Sequence, residues 1–241
     1  MELNERQKKI LMAVITEFME TAEEVGSSYL VEEYGFDFSP ATVRSEMAKM
    51  MEKGLLKQSH TSAGRVPSDQ AIRMYALEQF DKGIVEAVDL VQIRQGLFKV
   101  RFYPEQLIRV ALDLLVEYSS CASFVLMEDT TRYYGVSSLM KYRELRDVAV
   151  VERILDILED ENILKRVFSK YDGNNISFII GSEFGIKDME HCAIVFTKVP
   201  FWGKQYGHMG VIGSRRMNYS RVANLLNVIR DSLGESLKGW Q

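Results

Sequence analysis

Cysteine is close to absent. The 241-residue sequence has two, Cys121 and Cys192, far apart and each in an apolar run, so no disulfide framework and no CxxC metal knuckle can be built from them. Histidine is as scarce, with only His60, His191 and His208, and no metal-binding spacing occurs among them. His191 adjoins Cys192, but spacing supplies no carboxylate partner, and a cysteine that opens an apolar strand reads as inert rather than nucleophilic. His208 reads as a surface residue beside a loop. No catalytic residue, cofactor or metal is expected. Long apolar runs are also missing. No stretch reaches about 18 uncharged apolar residues, so no membrane span is expected. The amino terminus is charged and amphipathic and has neither the apolar core nor the cleavage site of a signal peptide. These absences point to the reducing cytoplasm. What is present is enough for folding: 46% of the residues are hydrophobic, an ordinary value for packed domains, and the length allows one or two of them.

The net charge of −4 argues against a general nucleic-acid binder, but the charge is unevenly spread. Residues 1–38 hold three basic and nine acidic side chains. Residues 39–73 hold Arg44, Lys49, Lys53, Lys57, Arg65 and Arg73 against Glu46, Glu52 and Asp69. The rest is near balance. A local positive face suffices for DNA, because counterion release depends only on the phosphates contacted.

The basic island coincides with a run of short elements. Residues 4–19 read as a helix with Ile10, Val14 and Phe18 on one stripe and Asn4 as N-cap. A second helix follows Gly26, capped by Ser27 or Ser28 and ended by Gly35. A third starts at Ser39-Pro40, a strong N-cap followed by a proline at the first helical position, and Gly54 closes it. Val43, Met47 and Met50 mark its buried side; Ala41, Ser45, Ala48 and Glu52 lie opposite, flanked by Thr42, Arg44 and Lys49. Residues 55–67 read as a hairpin with arms Leu55–Gln58 and Arg65-Val66. Its polar tip, His60-Thr61-Ser62-Ala63-Gly64, places a glycine where a positive φ is expected. Ser68 caps a further helix to about Phe80.

Three helices and a hairpin make a winged helix-turn-helix over residues 1–80. The expected DNA-binding residues are Thr42, Arg44, Ser45 and Lys49 at the groove, with His60, Thr61, Ser62 and Arg65 in the wing. Ser39 either caps or touches DNA. Arg44 is the candidate for base readout, since a guanidinium pairs bidentately with guanine, and Arg65 is a candidate phosphate contact. The alternative is a helical protein-interaction module whose charges are solvated surface. Residues 81–103 read as a helical linker. Residues 104–241 read as an α+β domain. Its expected helices are 104–119, 148–171 and 219–237, and its expected strands are 121–127, 134–138, 176–180, 193–199 and 207–212.

The run from Ser39 to Tyr75 resembles the heat-inducible transcription repressor HrcA family. Ser39-Pro40-Ala41-Thr42-Val43-Arg44, Gly54-Leu55-Leu56 and His60-Thr61-Ser62-Ala63-Gly64-Arg65-Val66-Pro67 look like its recognition helix and wing. Ile180-Gly181-Ser182-Glu183, Gly210-Val211-Ile212-Gly213, Arg216-Met217-Asn218-Tyr219 and Arg221-Val222 look like its carboxy-terminal core. The resemblance implies an α+β repressor with a winged helix followed by a GAF-like domain. It also implies homodimers on an inverted-repeat DNA operator of the CIRCE type ahead of chaperone genes, support by the chaperonin GroEL, and release on heat stress. Family members carry an inserted dimerisation segment in the GAF-like core. Here Met127 passes through Glu128-Asp129-Thr130-Thr131-Arg132 to Tyr133, so the insert is expected to be missing. The residue after Arg44, usually asparagine in the family, is Ser45, so a different operator sequence is expected. A single winged helix covers little DNA, so two copies are still expected. The surfaces open to them are the stretch Ile84–Leu97 and the Phe201-Trp202 loop. The alternative function is a regulator whose GAF-like domain senses a small molecule.

Overall fold

The computed structural model describes residues 3–60, 63–80, 86–128, 130–171, 175–201 and 205–237. The chain is α+β and divides into two compact units, residues 1–78 and 79–241.

In the first unit α1 (Glu5–Thr21) begins at Asn4, whose side chain accepts a hydrogen bond from the Gln7 amide N–H at 2.8 Å. The helix α2 (Ser27–Tyr34) is capped by Gly26, not by Ser27 or Ser28, and no side chain caps its amino end. Glu17 of α1 holds α2 by accepting from the hydroxyls of Tyr29 and Tyr34. The helix α3 (Pro40–Glu52) starts at Ser39, whose hydroxyl accepts from the Thr42 N–H. Gly54, at φ +74°, turns the chain out of it, a conformation that suits a residue without Cβ. The core is Ile10, Val14, Ile15, Leu30, Val43, Met47 and Met50. The wing is a minimal antiparallel ladder of β1 (Leu56–Lys57) and β2 (Val66–Pro67), with Leu56 opposite Pro67. The helix α4 (Asp69–Phe80) follows, with the Ser68 hydroxyl accepting from the Ala71 N–H.

In the second unit, much of the expected linker is α5 (Ala87–Lys99), which packs on α6 (Pro104–Ser119) and on α9 (Tyr219–Leu237) through buried Ile93 and Leu97. The strands β3 (Ala122–Met127), β4 (Thr130–Tyr134), β5 (Ser177–Ile180), β6 (Cys192–Pro200) and β7 (Tyr206–Ser214) form one antiparallel sheet in the order β4-β3-β7-β6-β5. The strand expected at 134–138 lies earlier, and residues 136–141 are a 3-10 helix instead. Met127 pairs directly with Thr130, so a tight hairpin stands where an insert was expected to be missing. The helix expected over 148–171 is two, α7 (Val148–Glu159) and α8 (Glu161–Phe168). Asp160 leaves helical geometry and its carboxylate accepts from the Asn162 N–H at 2.9 Å, making it the N-cap of α8, as an acidic cap favours.

One polar cluster is sealed into this unit. Glu144 takes a bidentate hydrogen bond from Arg216, at 2.8 and 3.0 Å, and another from the Ser214 hydroxyl. Burial pushes the Glu144 carboxyl up, but Arg216 and Ser214 outweigh it and hold it below the usual carboxylate range.

Candidate nucleic-acid interface

The outward side of α3 follows from what its inward side must bury. Val43, Met47 and Met50 are shut into the core. At 3.6 residues per turn this turns Ala41, Ser45 and Ala48 outward, and all three are exposed, as are Arg44 and Lys49 on the edges. Small residues in the middle let the helix backbone approach a surface closely. Among the described residues Arg44 has no hydrogen-bond or ion-pair partner, and with Met47 it lines an open recess of about 430 Å³. The other walls are Val25, the start of α2 at Gly26–Tyr29, and Ala63–Arg65 of the wing.

Five of the remaining expected residues are not free in the same way. Lys49 donates to Glu46 at 2.9 Å. Glu46, which its position on α3 did not reveal as important, is buried, and it also accepts from the Gln7 side chain at 2.9 Å. The hydrogen bond from Lys49, then that from Gln7, holds the Glu46 carboxyl below its usual range. Lys53 donates to the same Gln7 amide oxygen at 3.1 Å. This network ties α1 to α3 and sets the pose of α3. Arg65 donates to the Ala63 carbonyl at 2.7 Å and to the Met51 sulfur at 3.0 Å, so much of its guanidinium shapes the wing. Ser39 and Thr42 share a hydroxyl–hydroxyl contact of 3.1 Å at the helix start. His60 is exposed, with Nδ1 at 2.8 Å from the Ser59 hydroxyl. Thr61 and Ser62 lie outside the described residues.

The wing is anchored from outside the hairpin. Arg65 exchanges two backbone hydrogen bonds of 2.9 Å with Val25. Gly64 is needed for this approach and not for a positive φ: a Cβ there would lie 2.8 Å from the backbone of Glu24 and Val25. Gly64→Ala is therefore expected to push the wing away, at a cost of about 1–3 kcal/mol, and to speed amide exchange at Val25 and Arg65. Unaltered exchange at both amides would show that the wing tolerates the methyl.

In the second unit, the described part of the sheet is closely filled on one face. The sheet face under α8 is filled by Phe168, stacked on Phe124 and in ring contact with Phe196 and His208 at 4.3 and 4.8 Å. His208 is thus half-buried against an aromatic cluster and not a plain surface residue. The recess left beside it is about 190 Å³, below the range usual for small-molecule sites. Burial pushes the thiols of Cys121 and Cys192 up to about 12, which removes both as thiolate nucleophiles at neutral pH. No helix among the described residues is long and apolar enough to cross a membrane.

A winged helix whose third helix has an exposed outer face, ahead in sequence of a GAF-like α+β domain, is the build of a transcription regulator. The family model described as the HrcA protein C-terminal domain matches residues 75–223, more than half of the sequence; the chain belongs to the HrcA family. The heat-inducible transcription repressor HrcA of Moorella thermoacetica is 25% identical over 340 aligned positions that span 99% of both chains. That of Pelotomaculum thermopropionicum is 23% identical over 340 positions, covering 99% of this chain and 98% of its own. An alignment of 340 positions on a chain of 241 residues leaves a large block of each relative facing a gap. A crystal structure described only as that of a hypothetical protein shares the fold, with a TM-score of 0.82 over 100% of both chains at 19% identity.

Proposed function

We propose that the chain is a repressor of the heat-inducible kind that seats α3 in the major groove of an inverted-repeat operator ahead of chaperone genes, two copies to a site, and leaves it on heat stress. The observation that carries this reading is Arg44, without a partner among the described residues, on an otherwise small and exposed helix face beside a recess that the wing and the start of α2 complete. Helix N-termini attract phosphate. The uncapped amino end of α2, with exposed Ser28, is placed to meet the backbone while α3 enters the groove, the usual division of labour between the two helices of this motif. Lys49 and the wing tip, with Thr61 and Ser62, then flank the duplex, and Arg65 supports the wing they depend on. Support by a chaperonin such as GroEL belongs to the same reading, with the repressor losing that support when unfolded proteins compete for it. A footprint on the DNA upstream of the chaperone genes tests it, run at two temperatures with and without chaperonin. Protection of two symmetric half-sites at the lower temperature, weakened at the higher and strengthened by chaperonin, is the expected result. Uniform protection of unrelated DNA would defeat the proposal.

A further inference from the structure

The Phe201-Trp202 loop, expected to serve association, turns inward at Phe201, which is buried in its own unit; Trp202 lies outside the described residues. A small polar recess does stay open in that unit. Its floor follows from strand register. Leu126 of β3 pairs with His208 of β7, and His208 pairs with Lys198 of β6, so the three lie in one cross-strand row on one face of the sheet. The next row on that face is Phe124, Gly210 and Phe196, and Phe168 of α8 covers it by packing on both phenylalanines. The recess, about 190 Å³, stands over the first row, with Lys165 of α8 and, just beyond that helix, Ser169 and Tyr171 on its rim. Every polar side chain of this lining is a cation or can donate a hydrogen bond, and no carboxylate is among them. The half-buried His208 ring is held by Phe168 and Phe196, at 4.8 and 6.0 Å between ring centres. Its nitrogens have no hydrogen-bond partner among the described residues. Lys198 lies 5.2 Å from the centre of the Tyr206 ring and has no ion-pair partner among the described residues. Burial, and then Lys198, push the His208 imidazole below its ordinary value of 6.5.

We propose that this recess binds a small free oxyanion of the phosphate type, with Lys198 and His208 as its principal donors. The lining favours an anion over other occupants. A metal cation would meet no carboxylate, and an apolar molecule would leave the lysine and the imidazole facing it unpaired. The volume excludes a nucleotide or a similar metabolite, which needs a pocket of roughly 300 Å³ or more, yet it accommodates a compact ion. The anion also relieves a conflict built into the sheet. Lys198 and His208 stand directly opposite each other, where like charges repel. An oxyanion between them accepts from the ammonium and from an imidazole N–H, and charge-assisted hydrogen bonds of this kind are the stronger ones. Lys165 and Tyr171 approach from the α8 side and Lys198 and His208 from the sheet, so an occupant ties the helix to the sheet. The sign of the pH dependence follows. The groups that face His208 are Lys198 on β6, Lys165 on α8 and Tyr171 beyond it, and Leu126 on β3 is apolar. An anion against the imidazole favours its protonated form, so binding tightens as pH falls through the imidazole range. Binding here is independent of the repressor reading.

Proton–carbon NMR of the full chain, labelled in histidine, reads the site directly, because the sequence has only three histidines and His208→Gln assigns the signal. Sulfate is the probe for pH, since it stays doubly charged across the imidazole range. Added at constant ionic strength, with chloride making up the balance, it is expected to move the His208 ring signal to a plateau and to raise its titration midpoint. The signal of His191, which is exposed and does not line the recess, is expected to stay in place. Lys198→Gln is expected to need about ten-fold more sulfate to reach the same plateau, as for the loss of one charge-assisted hydrogen bond. By itself that substitution raises the His208 midpoint, because it removes a facing cation. An unmoved His191 signal reports that the variant is folded. Inorganic phosphate is expected to bind at least as tightly as glycerol 3-phosphate, and tighter binding of the ester would overturn a free ion as the occupant. Equal shifts with sulfate and chloride, or an unchanged sulfate requirement in Lys198→Gln, overturn the site.

Discussion

Arg44→Ala is expected to weaken binding to the cognate inverted repeat by about 1–3 kcal/mol per half-site and to leave the affinity for random duplex almost unchanged. The side chain is exposed at the edge of α3 and has no partner among the described residues, so removing it breaks nothing inside the protein. The whole loss then falls on whatever the guanidinium meets in the groove. A guanine offers two acceptors side by side, which a planar fork fills and an alanine does not. A phosphate contact would behave differently, with equal losses on both duplexes and a shallower salt dependence. Fluorescence anisotropy with the two duplexes at one fixed salt concentration separates these cases, and equal losses would reduce Arg44 to a positioning contact. Lys49→Ala is the useful contrast. Lys49 is held by Glu46, which Gln7 also binds, so its loss disturbs the seating of α3 on α1 as well as any DNA contact.

The second large effect concerns stability. Arg216→Ala is expected to destabilise the second unit by about 3–5 kcal/mol, because it strands a buried carboxylate without its ionic partner. Glu144 and Arg216 keep only 13% and 10% of their side-chain surface exposed, so water does not replace the lost guanidinium. Adding Glu144→Gln to the Arg216→Ala chain is expected to recover part of the loss, as the neutral amide is cheaper to bury. The pH dependence has a definite sign. The folded carboxyl titrates below its ordinary value of 4.5, so the pair stabilises the fold above that pH. The contribution fades as pH falls through the lower, folded value. Chemical denaturation of wild type and Arg216→Ala at pH 7 and at pH 3 checks this: the difference between them should shrink in acid. An equal difference at both pH values would mean that the charge pair is not its source.

Where a structural rule is local, the sequence was readable to within a residue or so. Ser39-Pro40, Asn4, Ser68 and Gly54 act through the chain next to them, and the helix ends fall where they stand. The position of β6 was readable because it opens on the apolar run Cys192–Phe196. The errors came where neighbours compete. Residues 136–138 have strand-like composition but turn into a 3-10 helix. The apolar period over 148–171 runs through Asp160, which nevertheless prefers to cap α8. At the candidate site the exposure of Arg44 was legible, because the helical period alone puts it outside. The engagement of Lys49 and Arg65 was not, since their partners are settled by packing.

Caps, periodicity and turn chemistry, which act over a few residues, thus determined a winged helix followed by an α+β domain and the outward face of α3, while the GAF-like build and the repressor family were implied by the resemblance of its motifs. Only the tertiary structure decided which cations of the described residues stay available, why Gly64 must lack a side chain, and that α5 belongs to the second unit. Those outcomes depend on contacts between distant positions, such as Gln7 with Glu46 or Val25 with Arg65, and a helical period cannot tell how many of its faces a fold will cover.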